Sequence, residues 1–160
     1  MDPFDTLVEA ENRLHIMIDI LAYIPVKHIQ ICFMNNVNTI LILTHEGKTP
    51  EMFQQEYHQL LSTTFQSLRL GGTPTYATLQ RGFQDAQHFD DPTSHYLLTD
   101  GVPTDASVGR VSKLILNRSN PERNPLTLIS CTNVDRECEW MKTVRFHFLI
   151  YSFVNYCVAD

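Results

Sequence analysis

Two segments of the chain carry hydroxyl and carboxylate side chains that could coordinate a hard cation. The first is the loop Gly71-Gly72-Thr73-Pro74-Thr75, and the second is the turn Thr99-Asp100-Gly101, which follows the apolar run His95-Tyr96-Leu97-Leu98. Carboxylate and hydroxyl oxygens are ligands that Mg²⁺, Mn²⁺ and Ca²⁺ prefer, and such ions keep waters that a second protein's carboxylate can replace. The two segments therefore predict a site at which a cation joins two proteins.

The same residues also have ordinary structural roles. Asp100 before Gly101 is a common turn former, and Thr73 and Thr75 can cap the helix that follows them. Asp105 can cap the next helix along the chain. The position of these residues in the fold decides between the two interpretations.

The spacing of apolar residues predicts helices and strands in alternation. Between Phe4 and Ile24 the apolar positions recur every three or four residues, which predicts a helix that Pro25 ends. Strands at 28–34 and 39–43 flank the Asn-rich connection 35–38, and so short a connection requires them to be antiparallel. Further elements are predicted in chain order: helices after Thr49 and after Thr75, a strand at 95–98, a helix after Asp105, a strand at 125–130 and a short helix around Trp140.

This order predicts an α/β fold with a mainly parallel central sheet, one antiparallel edge strand and helices on both faces. Ligands of open parallel sheets bind beyond the carboxyl ends of the strands. Asp100 comes at such a strand end.

The two motifs, in this order and on this framework, resemble the second and third motifs of the metal-ion-dependent adhesion site of von Willebrand factor type A (vWA) domains. The resemblance extends from Phe4 to about Val144. It implies a Rossmann-like vWA fold in which Thr73 supplies a hydroxyl ligand and Asp100 a carboxylate ligand to Mg²⁺ or another divalent cation, Mn²⁺ or Ca²⁺. It also implies a supporting loop made of Gly71, Gly72, Thr75, Gly101 and Asp105, in which Thr75 braces the loop and Asp105 caps a helix.

One part of the family pattern is missing. Members of the family open with a strand that ends in an Asp-x-Ser-x-Ser motif, whereas the first helix of this chain begins almost at Met1. We therefore expect the metal to bind weakly or not at all. The lost strand would lie between the strands at 29–34 and 95–98 and would leave backbone groups on both of them unpaired. The chain is accordingly interpreted as a fragment, a short-start form or a degenerate paralogue.

The predicted domain organisation is a vWA-like domain at residues 1–145 that lacks its first strand. Residues 146–160 are predicted to be an apolar C-terminal strand or an atypical tail, because they are aromatic and strongly β-prone.

The function that the resemblance implies is a non-catalytic protein-protein interaction module that binds an acidic side chain of a protein ligand. One alternative is an α/β hydrolase or phosphoryl-transfer enzyme that uses Asp100. A second alternative is a truncated fragment without function. The seven histidines are dispersed along the sequence and are interpreted as ordinary structural residues.

Composition excludes two classes of partner. The 12 Lys and Arg against 18 Asp and Glu give a net charge of -6, and the basic residues form no stripe that could follow phosphates, so nucleic acid is not expected. No stretch is long and apolar enough to span a membrane. The chain opens without a signal peptide, and its four cysteines are predicted to be mostly buried and reduced, which favours a cytoplasmic or other intracellular location.

Overall fold

The structure, a computed structural model, describes residues 3–68, 71–132 and 135–146. This part of the chain contains five helices: α1 (Pro3–Leu21), α2 (Pro50–Ser67), α3 (Thr75–Ala86), α4 (Val108–Leu116) and α5 (Asp135–Phe146). It contains four strands: β1 (Ile29–Phe33), β2 (Asn36–Leu43), β3 (His95–Thr99) and β4 (Leu126–Ser130). The predicted mixture of helices and strands is confirmed.

The chain divides into two compact units, residues 1–75 and residues 76–160. We call them the N-terminal unit and the C-terminal unit. The N-terminal unit contains α1, β1, β2 and α2, and the C-terminal unit contains β3, α4, β4 and α5 together with all of α3 except its first residue.

The N-terminal unit is a helical pair with a β-hairpin. β1 and β2 are antiparallel, with Ile29 opposite Leu43 and Phe33 opposite Asn36, which confirms the predicted hairpin. The predicted four-residue connection is wrong, since the turn contains only Met34 and Asn35. The reason is that Asn36 pairs with Phe33 and begins β2, while Val37 and Asn38 lie in the irregular part of the ladder between this pair and the pair of Cys32 with Ile40.

The helices of this unit bury one apolar face each. The side chain of Thr49 caps α2 by accepting a hydrogen bond from the N–H of Met52, and Pro50 occupies the first turn, where no intrahelical donor is needed. The core of this unit consists of buried residues from α1, β2 and α2 and of Ala22, which directly follows α1. Its members are Ile18, Ala22, Leu43, Phe53, Tyr57, Leu61 and Phe65. Burial of these apolar surfaces is the main term that stabilises the unit.

The C-terminal unit contains a parallel strand pair joined by a helix. β3 and β4 run in register from His95 opposite Leu126 to Thr99 opposite Ser130. Because the connection between them carries α4, whose Val111 and Ile115 are buried, the pair has the βαβ form that the alternation predicts. Both strands end at the same edge, where Asp100 follows β3.

The four described strands form two sheets of two strands each. In this part of the chain, β2 is the only strand neighbour of β1, and β4 is the only strand neighbour of β3. The single, mainly parallel central sheet stays a prediction.

Three further predictions concern cysteines, membranes and the C-terminus. Cys131 is buried as predicted, but Cys32 is exposed, because alternate residues of β1 face outward. Within the described ranges, no helix combines the length and apolar composition needed to cross a bilayer. The predicted strand or tail at 146–160 lies outside the described residues except for Phe146, the last residue of α5.

Candidate functional site

β3 delivers Asp100 to the carboxyl edge of the parallel strand pair. Leu97 and Thr99 are buried, and the carbonyl oxygen of Thr99 accepts a hydrogen bond of 2.9 Å from the N–H of Cys131. The strand is therefore fixed up to the residue that precedes Asp100. The carboxylate itself is partly exposed at this edge.

A tryptophan holds the turn that contains Asp100. The indole Nε1–H of Trp140, on α5, donates to the carbonyl oxygen of Gly101 over 3.1 Å. Trp140 is 4% exposed, so this hydrogen bond is shielded from competing water. Asp100 therefore lies between two residues that are held in place: Thr99, in the last pair of the strand ladder, and Gly101, which the indole binds.

The Asp100 side chain makes no hydrogen bond or ion pair with any other residue that the structure describes. An ionised carboxylate accepts only, and it has several lone-pair sites to satisfy. On a turn fixed at both sides, these sites are open to solvent, a cation or a donor from another molecule.

Asp105 has a different role from the one predicted. Its Oδ1 accepts from the N–H of Tyr76 over 3.1 Å, and its Oδ2 accepts from the N–H of Ala77 over 2.8 Å. The prediction that Asp105 caps α4 is wrong, because Ser107 accepts from the N–H of Arg110 and occupies the N-cap position there. Asp105 instead caps α3, and its negative charge lies at the positive end of that helix dipole.

The glycine and threonine loop belongs to the N-terminal unit. A Cβ atom on Gly71 would lie 2.9 Å from Cγ of Asn35, so glycine allows the loop to approach that side chain. Gly72 is exposed, and Thr75 is fully buried. The N–H of Thr75 donates to the carbonyl oxygen of Thr73 over 2.7 Å. Thr73 belongs to one unit and Asp100 to the other, and a cation shared by these two residues stays a prediction.

A cavity of about 520 Å³ lies between α3 and α4 in the C-terminal unit. Its lining includes the basic side chains of Arg110, Lys113 and Arg118 and no carboxylate. Arg110 lies 4.8 Å from the ring centre of Tyr76, and Arg118 lies 6.0 Å from the ring centre of Phe83. This basic groove is complementary to a negatively charged ligand, although the chain as a whole carries a charge of -6. Sequence analysis missed the groove, because the cavity that these cations line forms only when α3 and α4 lie side by side.

His95 lies at the start of β3 with its Nε2 buried and without a hydrogen-bond partner in the described part of the chain. Its ring packs edge-on against Phe83 with the centres 5.2 Å apart. Burial, and to a smaller extent the charge of Arg118, lowers the pKa of His95 from 6.5. Burial also lowers the pKa of Arg118.

The lowered pKa of His95 predicts that the protein loses stability in mild acid. Above pH 6.5 the ring is neutral in both states; below it, the unfolded chain binds a proton that the folded chain resists, so the free energy of unfolding falls. We therefore measure the free energy of unfolding in urea at about pH 7.5 and about pH 5.5. We expect its drop between these two pH values to be smaller for His95→Gln than for the wild type. His88→Gln, at an exposed position, is the control and should retain the wild-type dependence. Equal slopes for wild type and His95→Gln would contradict the assignment.

Sequence analysis also missed a polar cluster in the N-terminal unit. The rings of His15 on α1 and His58 on α2 lie with their centres 4.6 Å apart and their planes inclined by 29°. His58 Nε2 lies 2.7 Å from Oδ1 of Asp19, and His15 Nε2 lies 3.1 Å from Oγ of Ser62. The available signal was the four-residue spacing, which brings Glu11, His15 and Asp19 to one face of α1.

No protein-family model, curated protein or solved structure matches this chain. The resemblance to vWA domains therefore stays a prediction from the two motifs and the predicted order of the elements.

Proposed function

We propose that this chain is a non-catalytic protein-interaction module of the vWA type, which binds an acidic side chain of a partner protein at the edge that carries Asp100. A divalent cation, Mg²⁺ or Mn²⁺, bridges the two carboxylates. The observation that carries the proposal is the carboxylate of Asp100, which has no partner among the described residues although strand and indole fix the turn around it.

The type of donor fits a hard divalent cation, but the number of donors is small. Within the described residues, no group of three or more His, Cys, Asp or Glu side chains is placed to hold a metal ion. Both carboxylate oxygens of Asp105 already accept from N–H groups of α3, so we assign Asp105 no metal contact. A cation at Asp100 is therefore held weakly and keeps most of its waters, and a partner carboxylate that replaces one of them completes the contact.

The basic groove supports an acidic partner independently of the cation. Arg110, Lys113 and Arg118 attract a negatively charged segment, and the rings of Tyr76 and Phe83 give it apolar surface. A partner segment with several acidic residues matches both the groove and the cation at Asp100. Salt screens the attraction between exposed charges, so binding of this segment is expected to weaken as the salt concentration rises, mainly through slower association.

The proposal is tested by titrating the protein with Mn²⁺ and following the loss of amide NMR signals, which a paramagnetic ion broadens near its site. We expect the signals around Asp100 to broaden first. Asp100→Asn should weaken this binding at least tenfold, because it removes the charge of the only carboxylate on the turn. The matched control is Asp90→Asn, which removes the same charge from an exposed loop residue and should leave the titration unchanged.

Three other outcomes have clear meanings. Unchanged broadening in Asp100→Asn would refute the cation site. Phosphatase turnover that is lost in Asp100→Asn would favour the enzyme alternative, and failure of the chain to melt cooperatively would favour the non-functional fragment. The same titration of Thr73→Val tests whether the hydroxyl of Thr73 contributes as the resemblance implies.

A further inference from the structure

The histidine pair of the N-terminal unit has a geometry that the proposed function does not use. α1 and α2 pack together, and their contact brings Nδ1 of His15 to face Nδ1 of His58. The two rings are inclined by 29°. Both side chains are partly exposed, 24% for His15 and 30% for His58, so solvent reaches the pair.

The outer nitrogen of each ring is held by an oxygen. His58 Nε2 lies 2.7 Å from the carboxylate of Asp19. An ionised carboxylate can accept hydrogen bonds but cannot donate them, so this nitrogen carries the hydrogen. His15 Nε2 lies 3.1 Å from Oγ of Ser62 and 3.5 Å from Oε1 of Glu11, and a hydrogen on this nitrogen satisfies both. With a hydrogen on both outer nitrogens, each Nδ1 bears a lone pair; in the other tautomer of His15 the hydroxyl of Ser62 donates to Nε2, and Nδ1–H donates to His58. Metal binding requires the first of these arrangements.

Two lone pairs that face one another repel unless a cation lies between them. A proton can bridge the two nitrogens, and a metal ion can accept both lone pairs. A histidine whose second nitrogen donates to a carboxylate or hydroxyl is the usual form of a metal ligand, because the outer partner fixes the ring and raises its basicity. Imidazole nitrogen suits Zn²⁺, Ni²⁺ and Cu²⁺ better than it suits Mg²⁺ or Ca²⁺.

The charges around the pair also favour a cation. Glu11 and Asp19 lie on the same face of α1 and contact the two rings. Arg13, the basic residue closest in sequence to His15, is paired with Glu9 over 2.7 Å. The local field is therefore negative where the two Nδ1 atoms meet.

We propose that His15 and His58 together bind one transition-metal ion of the Zn²⁺, Ni²⁺ or Cu²⁺ class through their Nδ1 atoms. Asp19 and Ser62 are positioning residues that hold the outer nitrogens. No group of three or more His, Cys, Asp or Glu side chains in the described ranges is arranged as a metal site, so water fills the remaining coordination positions. Such a site binds and releases its ion readily, in contrast to a closed structural zinc site with four protein ligands.

The test is calorimetric titration of the full chain with ZnCl₂ near neutral pH. We expect one Zn²⁺ per chain for the wild type, and affinity at least tenfold weaker for His15→Gln and for His58→Gln. Asp19→Asn should weaken affinity by about tenfold, the usual effect of losing an outer partner. His88→Gln, at an exposed position outside the pair, is the control and should bind as the wild type does.

A second measurement on the wild type guards against variants that fail to fold. Substoichiometric Cu²⁺ should broaden the ring signals of His15 and His58 before those of the other five histidines. This measurement needs no substituted variant. Zn²⁺ affinity that is unchanged in both His→Gln variants, or broadening that begins at other histidines, would refute the site. Ring signals of His15 and His58 that do not respond to Zn²⁺ would also refute the proposal.

This site and the one at Asp100 are tested separately. Asp100→Asn should leave Zn²⁺ binding unchanged, and His58→Gln should leave the Mn²⁺ broadening around Asp100 unchanged. Failure of either proposal therefore leaves the other standing.

Discussion

Phe53→Ala is expected to lower the free energy of unfolding by about 3–5 kcal/mol, the usual cost of removing a buried phenylalanine ring. Phe53 is fully buried in the core of the N-terminal unit. Its ring stacks on His45 with the centres 4.3 Å apart and meets the edge of Tyr57 at 4.6 Å. Loss of the ring leaves a cavity and removes both aromatic contacts, each of which contributes about 0.5–1.5 kcal/mol beyond area burial.

The effect of Phe53→Ala extends to the end of β2. The hydroxyl of Tyr57 accepts from the N–H of Thr44 over 2.8 Å and donates to the carbonyl oxygen of Thr44 over 3.2 Å. Phe53 supports the ring that makes these two bonds, so the hairpin should lose protection from amide hydrogen exchange in the variant.

Urea unfolding followed by circular dichroism measures the change. Met52→Ala is the matched control, because Met52 precedes Phe53 on α2 and is 53% exposed. It should change stability by no more than about 0.5 kcal/mol. Equal unfolding midpoints for the two variants would show that Phe53 is not at the centre of this core.

The helices and strands could be predicted because their signals are local. Thr49 and Pro50 mark the start of α2 by a cap and a preset backbone angle, and both residues act where the prediction puts them. α1 ends at Leu21, four residues before Pro25, since the turn that follows the helix is stabilised by its own hydrogen bonds. Local chemistry thus determines which elements form and leaves their ends uncertain by a few residues.

Strand pairing depends on residues that are distant in sequence, so less of it could be predicted. The hairpin pairing of β1 and β2 followed from a short connection, and the parallel pairing of β3 and β4 followed from the helix between them. Nothing local determines what lies on the other side of β1 or β3. The number of strands in each sheet could therefore not be predicted from short connections or from the helices between strands.

The candidate site shows the same division between local and long-range information. Asp100 was identified because it follows an apolar strand, and Ser107 could have been recognised as the cap of α4 because it immediately precedes Val108. The cap that Asp105 provides to α3 could not have been recognised, because it joins residues far apart in sequence. The facing of His15 and His58 depends in the same way on how α1 packs on α2.

Trp140→Ala is expected to lower the free energy of unfolding by about 3–5 kcal/mol, and Trp140→Phe by about 1 kcal/mol. Both variants remove the indole donor and leave the carbonyl oxygen of Gly101 without this partner, whereas only alanine also removes the buried ring. The difference between the two variants therefore measures the packing of the ring that phenylalanine retains. Lys142→Ala, at an exposed position on α5, is the control and should change stability by less than about 1 kcal/mol.

Trp140→Phe also tests how the fold prepares the proposed cation site. If the indole fixes the turn, its loss lets Asp100 move, and an ion held by one protein carboxylate has no other ligand to keep that side chain in position. Mn²⁺ affinity should then fall severalfold in Trp140→Phe while the chain stays folded. Unchanged Mn²⁺ affinity together with a loss of about 1 kcal/mol of stability would mean that the hydrogen bond stabilises the C-terminal unit without preparing Asp100 for a ligand.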